Sequence, residues 1–154
     1  MGVIVCATRG GEGSRAAQLT AIQSARAGGH HLVFLYVVDK QIVGEHDEVL
    51  RGAVHAEFHW LGRVILQIAC QRAERAGITA EMAIRDGAVR DEIESFLRER
   101  EARLLILGAP RHTSPVFGDD AIEQFARTIQ DDTGVRVLVV RPEDHESLLQ
   151  EIRY

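Results

Sequence analysis

Apolar positions along the chain cluster in four short segments, at 3–7, 32–38, 103–107 and 135–140, the third entered through Arg103 and the fourth interrupted at Arg136. Val3-Ile4-Val5-Cys6-Ala7 has no polar interruption, as expected of a strand buried on both faces. A fifth segment behaves differently. From Ile78 onward, Ile78, Ala80, Met82 and Ile84 alternate with Thr79, Glu81 and Arg85, so one face is apolar and the other wet. Between these segments the period changes to that of a helix. Leu19, Ile22 and Ala25 mark a first helix at 14–27, with Ser14 as its expected N-cap and Gly28-Gly29 as its stop. Leu50, Val54, Leu61, Ile65 and Ile68 predict the inward stripe of a long helix at 47–76, closed by Gly77. Gly87 opens a third helix with Val89, Ile93, Phe96 and Leu97 inward. Asp119 caps a fourth with Ile122, Phe125, Ala126 and Ile129 inward.

Strands alternating with helices, and apolar on both faces, imply a parallel sheet covered on both sides. Right-handed crossovers leave few topologies, and the alternating third strand belongs at an edge. The predicted fold is a flavodoxin-like, doubly wound five-stranded α/β sheet in the order 3-2-1-4-5. One domain is expected over 1–142, with a tail at 143–154 that can form a turn or two through Leu148, Leu149 and Ile152.

Composition narrows the function classes. Aromatics are only 5% of the 154 residues, so the core must be aliphatic. A formal charge of −5, without a basic stripe, argues against a nucleic-acid partner. Two cysteines, Cys6 and Cys70, make no disulfide framework. Neither a signal peptide nor an apolar run long enough for a membrane is read, so a soluble, cytoplasmic protein without membrane contact is expected.

In open α/β sheets ligands bind beyond the carboxyl ends of the strands, where the strand order reverses. Here that point lies between strands 1 and 4. It brings together Ala7, Thr8 and Arg9 with the 10–13 glycine turn, and Leu107 and Gly108 with the loop that carries Arg111, His112, Gly118 and Asp119.

These stretches carry a resemblance. Val3-Ile-Val-Cys-Ala-Thr8, Leu32-Val-Phe-Leu-Tyr-Val-Val-Asp39, Arg103-Leu-Leu-Ile-Leu-Gly108 and Thr133-Gly-Val-Arg-Val-Leu-Val-Val-Arg-Pro142 resemble the universal stress proteins. The resemblance implies the same sheet order, a role in stress resistance or regulation, and a homodimer paired through the last strand, which opens at Val135 and closes at Val140. Its nucleotide-binding branch implies ATP or AMP, held by Gly-x2-Gly-x9-Gly-Ser/Thr after strand 4. Gly108 matches the first glycine; Arg111 stands at the second, and Gly118-Asp119 match the final pair only with a three-residue deletion. An ionised carboxylate cannot donate to phosphate, and a like-charge contact at ~4 Å costs about 4 kcal/mol at an effective dielectric near ~20. Arg9 stands where nucleotide binders commonly carry Asp, while Val37 matches the backbone contact to adenine.

Other motifs in the chain fit less well. Gly11-Glu12-Gly13-Ser14-Arg15-Ala16 fits a dinucleotide fingerprint, but Thr8-Arg9-Gly10 separate it from the strand. A phosphorylation receiver needs acidic residues after strand 1, where Ala7-Thr8-Arg9 stand. His55 and His59, one turn apart, have zinc-binding spacing but no third ligand nearby in sequence, so the polar face of a helix is expected and no metal. Trp60 and Phe58 lie off the apolar stripe and are candidates to cover a loop or meet a partner. Cys6 reads as core packing, and no nucleophile with a base can be assembled. Two readings follow: a module working through protein contacts without catalysis, and a nucleotide or small-anion sensor in which Arg9, Arg111 and His112 gather charge at the crevice.

Overall fold

The computed structural model describes residues 2–9, 11–39, 48–111 and 119–144. Gly118, His112 and the tail beyond Asp144 lie outside the described residues, as do the side chains of Glu12, Asp119 and Asp120. Five strands, β1 (Val3–Ala7), β2 (His31–Asp39), β3 (Ala80–Gly87), β4 (Leu104–Gly108) and β5 (Arg136–Val140), alternate with helices α1 (Glu12–Gly28), α2 (Glu48–Arg75), α3 (Val89–Glu99) and α4 (Asp119–Thr133). All pairings are parallel, in the predicted order β3-β2-β1-β4-β5.

Period two divides each strand between two cores. Ile4, Cys6, Phe34, Tyr36, Leu66, Ala69 and Ile106 share a core with α1 and α2. Val5, Val33, Leu35, Phe96, Leu105, Leu107 and Ile129 share the other with α3 and α4. This explains the uninterrupted apolar runs: each inner strand must satisfy a helical layer on either side.

Three local expectations are corrected. Helix α1 begins at Glu12, and its cap position is Gly11, with φ 93° and no side-chain cap bond. Ser14 lies inside the helix, where its hydroxyl accepts the Arg9 amide at 3.2 Å. Long α2 buries Gly62, Leu66, Ala69 and Ala73 instead of the full predicted stripe. Leu50, Leu61 and Ile68 stay exposed, while Val54 and Ile65 pack at the margin of the core. The cause is close approach: a Cβ on Gly62 would lie 2.5 Å from Cδ1 of Tyr36, so the helix lies directly on the ring. Finally, Met82 on the edge strand is exposed, although Ala80 and Ile84 on either side of it pack against the core.

Candidate functional site

The turns after β1 and β4 do converge. A Cβ on Gly13 would stand 2.3 Å from the Ala109 carbonyl oxygen, and one on Gly108 would stand 2.6 Å from the Gly13 oxygen. The first turn of α1 thus rests backbone to backbone on the end of β4. The Ala109 amide in turn donates to the Val140 carbonyl at 2.9 Å, and Arg141 Nη1 donates to the Pro110 carbonyl at 2.8 Å, tying the crevice floor to β5.

The candidate residues divide by environment. Thr8 is buried, and its amide donates to the Leu35 carbonyl at 2.9 Å. Its hydroxyl accepts Nε2 of buried Gln18 at 2.8 Å, and Gln18 Oε1 accepts Arg72 Nη1 at 2.5 Å. Thr8 therefore anchors β1 to α1 and α2. Leu107 is buried in the α3–α4 core, with Ala7 and Val37 packed at its margin. Arg9 is exposed, Gly108 and Arg111 are half-buried, and Asp119 is the first residue of α4. Burial pushes the Tyr36 hydroxyl above its ordinary range, and the positive charge of Arg9 partly offsets this, so Arg9 acts on the sheet end at β1–β2. Burial raises the Cys6 thiol to about 12, the behaviour of an inert core side chain.

Of a second cluster the sequence showed only the His55–His59 spacing, without the third member. Asp86, near the end of β3, receives both His55 and His59 of α2 on one carboxylate oxygen, at 2.8 and 2.7 Å. Burial pushes the Asp86 carboxyl up, but the hydrogen bonds from His59 and His55 outweigh it and hold the group below its usual range. Separately, Ala56, Glu57, Phe58, Trp60 and Leu61 line a concavity of about 590 Å³ on α2, with Trp60 64% exposed. No helix among the described residues is long and apolar enough to cross a membrane.

Sheet order and crevice define an open, doubly wound α/β protein whose strand order reverses between β1 and β4. Residues 1–141 match the model of the universal stress protein family, and the chain belongs to that family. Similar solved structures include a universal stress protein family member from Burkholderia pseudomallei, with 22% identity and TM-score 0.72 over 90% of this chain and 95% of that one. A universal stress protein in complex with cAMP has 22% identity and TM-score 0.66 over 90% and 96% of the two chains. The Arabidopsis thaliana family protein with AMP bound has 12% identity and TM-score 0.67 over 92% of each chain. No match was found among curated proteins.

Proposed function

We propose that this universal stress protein works in stress response or regulation through protein contacts, first with a second copy of itself along β5, and not by a reaction of its own. The edge position of β5 carries this reading: it is the outermost strand beyond β4. The Val140 carbonyl points inward to Ala109, whereas the Val137 amide points outward and donates to the Gln130 side chain at 3.2 Å. By the two-residue period the Val139 amide also points outward. These outward groups offer an antiparallel partner strand its ladder, and the Gln130 amide is a bond that such a strand can displace. Exposed Trp60 adds a second apolar surface suited to a protein partner. The free thiols Cys6 and Cys70 suit a reducing cytoplasm. Light scattering should give a dimer for the native chain. Val139→Pro, which removes an outward donor and spares the bonds to β4, should give a monomer with an unchanged far-UV spectrum. A native monomer at high concentration contradicts the reading.

Arg9 supports a second reading, a sensor of AMP, cAMP, ATP or a small anion. It places an exposed positive charge at the crevice mouth, beside the first turn of α1. Family structures with cAMP and with AMP bound support a nucleotide as the ligand class. Calorimetric titration with AMP, cAMP, ATP and inorganic phosphate tests it. Binding that Arg9→Glu abolishes supports the reading; no heat with any of the four, or binding indifferent to Arg9→Glu, removes it.

A further inference from the structure

Away from the crevice, at the β3 edge, the fold gathers three side chains with metal-ligating atoms. His55 and His59 lie one turn apart on α2, so both imidazoles leave the same helix face. Their ring centroids are 4.4 Å apart. Asp86 pairs with Val38 of β2 in the sheet register and shares the parity of Ile84, which turns it toward α2. Arg85, its neighbour, faces the other layer, where it bonds Glu99 at 2.5 Å and stacks over Phe96. One ligand atom from each of His55, His59 and Asp86 lies within 4.8 Å of the others.

We infer that His55, His59 and Asp86 form a binding site for a zinc-class divalent metal ion, held by the two Nε2 atoms and a carboxylate oxygen with water completing the shell. The donor set selects the metal class. Calcium and magnesium take oxygen shells, whereas two imidazoles with one carboxylate suit zinc and its late first-row neighbours. Two of the three donor spacings are close to those of a bound state, and the third is at most 4.8 Å. A tetrahedral ion with bonds of about 2.0–2.1 Å sets its donors roughly 3.3 Å apart. The two nitrogens stand 2.8 and 2.7 Å from the Asp86 oxygen. Exchanging the shared protons for a cation thus asks for an outward shift on the order of half an ångström at each ring, against the tetrahedral spacing. The rings can make that shift, because the side chains of His55, His59 and Asp86 are 45%, 26% and 38% exposed. The same exposure admits the ion and its water. A bound metal would staple the first half of α2 to the end of β3.

The test uses the full chain freed of metal with chelator. Zinc is titrated in competition with a chromophoric chelator, and cobalt is added for its visible ligand-field bands. The expected result is one ion per chain and intense four-coordinate cobalt bands. Zinc should also raise the melting temperature. His59→Ala and Asp86→Asn, both checked for native circular dichroism, should each weaken binding by at least the roughly 10–100-fold that loss of a supporting partner costs elsewhere. His31→Ala is the control: His31 meets a carboxylate of Glu81 at 2.8 Å without a second imidazole, and its loss should leave zinc affinity unchanged. Affinity unaltered by His59→Ala and Asp86→Asn overturns the inference, as does a native chain that binds zinc no better than those variants.

Discussion

Gly13 and Ala109 meet with no room for a side chain between them: a Cβ on Gly13 would lie 2.3 Å from the Ala109 oxygen and 2.7 Å from its carbonyl carbon. Both obstacles are backbone atoms, and Ala109 is held in turn by the hydrogen bond its amide donates to the Val140 carbonyl. Gly13→Ala should therefore destabilise the fold by about 1–3 kcal/mol, the usual cost of overpacking. Chemical denaturation checks this. A variant as stable as the native chain would mean that the two turns are not packed together.

Gly62 sets two effects against each other. Alanine in mid-helix gains about 1 kcal/mol of helix propensity over glycine. The added Cβ, however, would stand 2.5 and 2.8 Å from Cδ1 and Cε1 of Tyr36. The ring is buried against the sheet, so the clash should win and Gly62→Ala should lower stability, by about 1 kcal/mol net. Combined with Tyr36→Leu the same change should become neutral or favourable, a coupling that a double-mutant cycle reads directly.

Two carboxylates should respond to pH in opposite senses. Burial raises Glu94, and the hydrogen bond and charge of Asp132 raise it further above its ordinary 4.5. Its folded form holds the proton more tightly than the unfolded chain, so its stabilising contribution is complete below the unfolded value and disappears as pH rises through the folded one. Glu94→Gln should therefore raise the melting temperature at about pH 7 and change it little at about pH 4. For Glu81 the Arg100 hydrogen bonds, with that of His31, lower the carboxyl from 4.5 to about 2. Its contribution is complete above 4.5 and is lost as pH falls toward 2. Glu81→Gln should thus cost stability at neutral pH, by less than about 1 kcal/mol because the pair is partly solvated, with the difference closing in acid. Identical pH profiles for the two variants would contradict both assignments.

The sheet was legible because its signal is local. Uninterrupted runs such as the one at Val3–Ala7 mark inner strands, and the wet alternation through Glu81 and Arg85 marks an edge. The buried face of helix α2 was not legible because, beside Leu66, it is built from Gly62, Ala69 and Ala73, whose burial reflects close approach and carries little hydrophobic signal. The convergence of the two glycine turns followed from strand order alone. Thr8, by contrast, turned out to be committed to Gln18, a partner ten residues along that no motif announces. The pairing of Asp86 with His55 and His59 needs the end of a strand to meet the middle of a helix, a relation set by tertiary packing.

Amide hydrogen exchange in β5, followed as a function of protein concentration, tests the proposed self-association most directly. If two chains pair along their last strands, the outward amides of Val137 and Val139 should become more protected as concentration rises, while the inward amides of β5, already bonded to β4, change little. Exchange at Val137 and Val139 that is independent of concentration would contradict pairing through β5.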